Sequence, residues 1–129
     1  MWIMLSDAFF SVVADPERVD MLVVRARMKG DIERVFPKVR VYATPNRDYQ
    51  FRAYLPRETV ALTIARQIRT IKYGNFKDSV KDAARHDAYL SVWTVMMRWS
   101  RGLFDRNRQP DWGFGDLDLT VDGDLKGDE

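Results

Sequence analysis

One apolar run and three runs of alternating apolar and polar side chains predict four strands in the first half of the chain, at residues 2–13, 21–27, 39–43 and 49–55. In a strand, residues two apart share a face of the sheet. The first run is apolar on both faces, with a bend expected near Ser6 and Asp7. In the other three, one face is aliphatic or aromatic. It carries Leu22, Val24, Val39, Val41, Phe51 and Ala53.

A different spacing, close to 3.6 residues, predicts three helices. A short one follows Asp31, which we expect to be its N-cap, and ends before Pro37. A second begins at Pro56, a residue type favoured in the first helical turn. Its apolar stripe is formed by Val60, Ile64, Ile68 and Ile71. A third is expected over residues 79–100, with Ser79 as N-cap and Gly102 as its end.

The third helix is apolar around most of its circumference. His86, Leu90, Trp93 and Met97 line one face, while Val95 lies nearly opposite Trp93. Such a helix is either buried on most sides or covered by another molecule. Two interpretations therefore stay open: a central core helix, or the interface of a dimer or of another partner.

This order of elements predicts an α+β fold, with an antiparallel sheet of about four to five strands and helices packed on one face. Residues 1–109 form the predicted core domain, and residues 110–129 an acidic C-terminal tail. The tail holds seven of the 19 acidic residues and only one of the 21 basic residues. A basic body is thus joined to an acidic end, a contrast that the overall net charge of +2 conceals.

The composition of the chain bears on its cellular compartment and excludes some kinds of site. The chain has no cysteine, which excludes disulfides, thiolate metal sites and cysteine catalysis. Its N-terminus lacks the basic region of a signal peptide, and no apolar run approaches the ~20 residues that cross a bilayer. We therefore expect a cytoplasmic protein without a membrane partner.

The polar faces of the predicted strands form the first candidate binding surface. If helices cover the aliphatic face, the other face presents arginines interleaved with tyrosines. These are Arg25, Arg27, Arg40, Tyr42, Arg52 and Tyr54. Arginines follow phosphates and aromatic rings stack on bases, so this pattern is compatible with single-stranded nucleic acid. Arginine is also common on solvated strand faces, so the pattern favours a solvated face or a protein contact over nucleic acid.

The tail forms the second candidate surface. Over residues 116–125, acidic or polar residues alternate with Leu, Val and Gly, which is typical of a strand with one acidic and one apolar face. The acidic row includes Asp116, Asp118, Asp122 and Asp124. We expect an added edge strand on its own sheet or on that of a partner. The row would also complement or shield the arginines, in which case deleting residues 110–129 strengthens nucleic-acid binding in a salt-dependent manner.

Two further patterns do not predict chemistry. Asp118, Thr120, Asp122 and Glu129 match the spacing of a calcium-binding EF-hand loop, but Gly and Pro precede the loop and no helix follows it within the chain. His86 has Asp82 one turn back as a hydrogen-bonding neighbour, whereas Asp87 points about 100° away. We therefore expect a structural histidine, with no metal site, cofactor or catalytic residue.

Several blocks resemble a group of small bacterial proteins that also occur on phages and other mobile elements. They are residues 1–3, 22–37, 75–80 and 85–93, so the resemblance covers about the first hundred residues. The group has no established activity or catalytic residues. The resemblance implies a cytoplasmic accessory protein that acts on host or phage defence machinery.

Together these observations favour a non-enzymatic binding protein, a mobile-element accessory protein such as an inhibitor of host defence, that acts by protein–protein docking. A homodimer is compatible with this prediction. The alternative is a nucleic-acid-binding protein that uses the arginine and tyrosine face. A small enzyme comes third, because the sequence does not assemble a nucleophile, a base and an oxyanion site.

Overall fold

The structure is a computed structural model, and it describes residues 1–103 and 107. Within these residues it has five strands and four helices. The strands are β1 (Trp2–Met4), β2 (Phe9–Ala14), β3 (Met21–Ala26), β4 (Tyr42–Ala43) and β5 (Phe51–Pro56). The helices are α1 (Asp31–Val35), α2 (Arg57–Arg69), α3 (Phe76–Ser79) and α4 (Ala83–Ser100). The predicted tail strand, with Asp116, Asp118, Asp122 and Asp124, lies outside the described residues.

The five strands form one antiparallel sheet in the order β1-β2-β3-β5-β4, which confirms the predicted α+β fold. The first predicted strand is in fact two. The chain turns between Leu5 and Ala8, where the Leu5 N–H donates to the Ala8 carbonyl at 2.8 Å, so β1 and β2 form a hairpin. The expected bend at Ser6 and Asp7 is therefore a complete reversal of the chain.

One face of the sheet is covered by α1 and α2 and contains the core. Phe10, Val24, Ala26, Ala53 and Ile32 of α1 are all 0% exposed. Leu22, Val39, Val41 and Phe51 pack against this cluster, as the alternation predicted. Burial of each large aliphatic or aromatic side chain contributes about 1.5–3 kcal/mol, so this layer is the main source of stability.

Two helices differ from their predictions. Asp31 is the first residue of α1 and not its cap; the cap is Gly30, whose φ of 93° suits a residue without a Cβ. In α2 the predicted stripe is buried only at its start. Val60 is 4% exposed, but Ile68 is 64% exposed, and Ile71, which follows the end of α2, is 48% exposed. Both isoleucines border an open cleft whose lining also includes Ile3 and Leu5.

The predicted long helix is divided near its start. Asn75 caps the short helix α3 through its side chain, and Val80 is extended and buried. The helix then restarts at α4, where the Asp82 carboxylate accepts from the Arg85 N–H at 2.8 Å. Gly102, with φ of 68°, follows its end, as expected. No helix among the described residues has the length and apolarity needed to cross a membrane.

Candidate functional site

A buried carboxylate, Asp31, fixes the first turns of α4 to the sheet. Asp31 is 0% exposed, and it accepts hydrogen bonds from Arg85 Nη1 at 3.1 Å and Nη2 at 2.6 Å. It also accepts from the Phe9 N–H at 3.0 Å and from Arg34 Nη2 at 2.5 Å. One side chain thus joins β2, α1 and α4. Sequence reasoning missed this role, because the partner arginine lies 54 positions away.

The charge on Arg85 is secured by these contacts. Partial burial works against its charged form, but the hydrogen bonds from its guanidinium to Asp31 and to the Tyr89 hydroxyl outweigh that effect and raise the pKa of Arg85 above its ordinary value. Arg85 is therefore a permanent cation, and its bidentate geometry is the strongest form of an arginine–carboxylate pair.

Tyr89 provides the second attachment of α4. Its hydroxyl lies 3.0 Å from the carbonyl oxygens of both Leu5 and Ala8, to which it donates, and it accepts from Arg85 Nη1 at 3.3 Å. Its ring stacks on Phe76 of α3, with centroids 5.7 Å apart. Burial raises the pKa of Tyr89, so the hydroxyl keeps its proton at neutral pH.

The Tyr89→Phe variant is expected to lose about 1–3 kcal/mol of stability, because the Leu5 and Ala8 carbonyls both lose this hydroxyl as a donor, although the Ala8 carbonyl keeps the Leu5 N–H. The wild-type protein should also lose stability as pH rises above the ordinary tyrosine pKa of 10.0, since the folded state holds this proton more tightly than the unfolded state does. Urea denaturation between pH 7 and 11 measures both effects.

Tyr89→Phe should lose less stability than the wild type as pH rises, because it lacks the contribution of the Tyr89 hydroxyl. Tyr73→Phe is the matched control, because Tyr73 is 38% exposed. Equal alkaline profiles for wild type and Tyr89→Phe would contradict the role given to this hydroxyl.

Beyond Tyr89 the described residues cover little of the helix, and the Trp93 ring has one neighbour from α3, the Lys77 ammonium at 4.4 Å from its centre. Arg85, Tyr89, Val92, Met96 and Trp99 follow one another at intervals of four, three, four and three residues, the spacing of a coiled-coil seam. The first two positions contact the body. Val92, Met96 and Trp99 are 41%, 53% and 62% exposed, and the adjacent Trp93 is 49% exposed. We call Val92, Trp93, Met96 and Trp99 the helix seam.

The seam corrects the sequence interpretation of this helix. A central core helix would bury Trp93 and Leu90, yet Leu90 is 36% exposed, and Tyr89 alone in α4 is buried. Of the two interpretations, the core helix is wrong, and the partner interface stays a prediction.

The predicted arginine and tyrosine surface occurs on the outer face of the sheet, opposite the core. Register pairs Arg25 with Arg52 and Arg52 with Tyr42, and Tyr54 lies beside Tyr42 with ring centroids 5.9 Å apart. We call this surface the outer face. Its residues are Arg18, Arg25, Arg27, Arg40, Tyr42, Arg47, Tyr49, Arg52 and Tyr54.

Most groups of the outer face contact one another. The guanidinium carbons of Arg25 and Arg27 lie 4.7 and 4.4 Å from the ring centre of Tyr49, and Arg27 forms an ion pair with Asp48. Arg25 also donates to the Ser11 hydroxyl at 2.8 Å. Alternation over the predicted strand 49–55 puts Tyr49 on the same side as Phe51, the core side, so the sequence did not predict Tyr49 on the outer face. Regular alternation begins only at Phe51, where β5 starts.

Exposure on the outer face differs from that expected of an open nucleic-acid platform. Arg25 and Arg52 are 9% and 6% exposed, so neither offers a broad cationic surface. Tyr42 and Tyr54 are exposed, but Arg40 lies 4.8 Å from the first ring centre and Arg18 lies 5.2 Å from the second. Each ring therefore already has a cation against one face, which leaves less room for base stacking.

His86 is more exposed than expected and has a different neighbour. Its Nδ1 lies 3.5 Å from the Asp87 carboxylate, whereas Asp82 receives only the backbone N–H of His86, at 2.9 Å to its carbonyl oxygen. Within residues 1–103 and 107, no group of three His, Asp or Glu side chains is placed to hold a metal ion. The EF-hand-like spacing of the tail lies outside that range.

Comparison of the chain with protein-family models, curated proteins and solved structures finds no match. Function is therefore inferred from the geometry of the helix seam and of the outer face.

Proposed function

We propose that this protein is a non-enzymatic docking module that binds a helix of another protein molecule through the helix seam. One observation carries the proposal: the face that fixes α4 to the body continues past the body at coiled-coil spacing, with large apolar side chains in water. Exposed apolar patches of this kind mark interaction sites in soluble proteins.

The composition of the seam also favours docking. Two tryptophans and a methionine stand among its four members, and these residue types are enriched in protein interfaces. A completely buried apolar side chain contributes about 1.5–3 kcal/mol, so covering the exposed halves of four of them supplies several kcal/mol. A partner helix with the same seven-residue repeat would place its side chains between them.

The biological setting forms part of the same proposal. The cysteine-free composition favours the cytoplasm. The resemblance of the first hundred residues to mobile-element proteins supports an accessory role, in which the bound helix belongs to a host assembly such as its defence machinery.

Two measurements test the proposal. Sedimentation across a wide concentration range shows whether the helix comes from a second copy of the chain. Affinity capture from the native host, with wild type, Met96→Glu and the control Ile68→Glu in parallel, shows whether it comes from another protein. We expect one of these two measurements to show a complex, and we expect Met96→Glu to abolish that complex. A monomer with no capture sensitive to the seam would contradict the proposal.

Nucleic-acid binding by the outer face is the second candidate, supported by the exposure of the Tyr42 and Tyr54 rings. A gel shift of short single-stranded oligonucleotides by the full chain, weakening steeply with salt, would favour it. Tyr54→Ala should then weaken the shift, whereas the same substitution at Tyr73, on the other side of the sheet, should not.

A further inference from the structure

The two edges of the sheet offer different surroundings to an added strand. At one edge, β1 presents Trp2 and Met4 on the outer side, and the next strand adds Phe9, Ser11 and Val13 there. At the other edge, β4 carries Tyr42, with Arg40 against its ring, and β5 behind it carries Arg52 and Tyr54. Of the two edges, only the β4 edge therefore has arginines on its outer side. Arg40 lies against the Tyr42 ring of β4, and Arg52 lies on the neighbouring strand β5.

The inner side of the β4 edge is apolar. Val39 and Val41 pack against the core there. Beside them is a cleft of about 600 Å³ whose apolar lining includes Phe36, Pro37 and Leu55, with Lys38 and Arg66 also bordering it. A strand laid along this edge would thus meet Val39, Val41 and the apolar part of the cleft on one face, and Arg40 with Arg52 on the other.

Backbone groups suitable for pairing are present as well. The Thr44 N–H donates to the Gln50 carbonyl at 2.6 Å, and Tyr42 pairs with Arg52 two positions along. Because hydrogen-bonded and other pairs alternate in an antiparallel ladder, the N–H and C=O groups of Val41 and Ala43 point away from β5. No strand within residues 1–103 pairs with that side of β4.

We propose that the β4 edge binds an extended segment with carboxylates on one face and aliphatic side chains on the other, and that its occupant is residues 116–125 of the same chain. In that segment Asp116, Asp118, Asp122 and Asp124 alternate with Leu117, Leu119, Val121 and Leu125. A strand sends alternate side chains to opposite faces. The carboxylates therefore meet Arg40 and its neighbours, and the aliphatic residues enter the cleft beside Val39.

The stretch of chain between the helix end and this segment is long compared with the width of the sheet. Residues 104–115 span up to about 40 Å when extended. The sheet, with its four strand spacings, is about 20 Å wide. Charge complementarity selects the edge, since the same segment placed at β1 would align its carboxylates with Trp2 and Met4. This inference concerns the sheet edge and does not depend on what binds the helix seam.

Amide hydrogen exchange on the full-length chain tests the proposal. We expect the amides of Val41 and Ala43 to exchange at least about tenfold more slowly than those of Trp2 and Met4, which by the same alternation point away from β2 at the other edge. Neutralising Asp116, Asp118, Asp122 and Asp124 to Asn, or adding salt, should reduce this protection, because exposed charge pairs are screened.

A matched control keeps the composition but not the alternation. In this variant the residues of segment 116–125 are permuted so that apolar and acidic residues no longer alternate. We expect it to lose the protection of Val41 and Ala43 while the amides of β3 stay protected. The proposal is overturned if Val41 and Ala43 exchange as fast as Trp2 and Met4 in the wild type, or if the permuted chain protects them equally. Protection that grows with protein concentration would also overturn it, since pairing would then be between copies.

Discussion

Asp31→Ala is expected to lower the free energy of unfolding by about 3–5 kcal/mol, the usual cost of removing one partner from a buried ion pair. The substitution leaves the Arg85 guanidinium, 13% exposed, without its carboxylate, and the Phe9 N–H without its acceptor. Arg34 suffers less, because its side chain is 44% exposed and can turn to water. Since small domains have a total stability of about 5–15 kcal/mol, this loss would be a large fraction of it.

Urea denaturation followed by tryptophan fluorescence measures the effect. The Asp31→Asn variant keeps an acceptor for the Phe9 N–H and should lose less than the alanine variant. Adding Arg85→Met to Asp31→Ala should recover part of the loss, because the uncompensated cation is then removed. A loss below about 1 kcal/mol in Asp31→Ala would show that the attachment of α4 depends on other contacts.

The second large effect is expected at Trp99, the most exposed member of the helix seam. Buried tryptophans are typical interface hot spots that cost 2 kcal/mol or more when truncated, so Trp99→Ala should weaken partner binding by about thirtyfold or more. The protein itself should stay folded, because a side chain that is 62% exposed contributes little to the core.

Trp2→Ala is the matched control for this prediction. Trp2 is the same residue type and is 72% exposed, but it lies on β1 at the edge of the sheet. Binding should be insensitive to it. Isothermal calorimetry with the captured partner, or sedimentation if the partner is a second copy, provides the affinities. Equal losses for the two variants would mean that the binding surface is not the helix seam.

The prediction of the outer face succeeded because it used only local geometry. Arg25 and Arg52 share a side of the sheet through the twofold period of a strand, and no distant contact is needed to place them. The same reasoning fails for Tyr49, because Tyr49 precedes β5 and strand pairing does not yet fix the alternation at that position. Whether the outer face binds a ligand stays a prediction.

Long-range contacts explain the remaining differences. The sequence shows that α4 is apolar on most sides, but it does not show where the body ends. Among the described residues the core is completed by α1 and by the first half of α2, and Trp93 and Trp99 stay 49% and 62% exposed. The predicted start at Ser79 failed for a related reason: Val80 is buried in an extended conformation, and tertiary packing overrode a local capping signal.

By itself, the sequence determined the period of each element, the two faces of the strands and therefore the α+β fold, because these depend on neighbours along the chain. Only the tertiary structure decided that Asp31 is an anchor, that α4 continues past the body, and that the two sheet edges differ in charge. Each of these features depends on residues that are far apart in the chain, such as Asp31 and Arg85. The packing of the helices against the sheet brings such residues together.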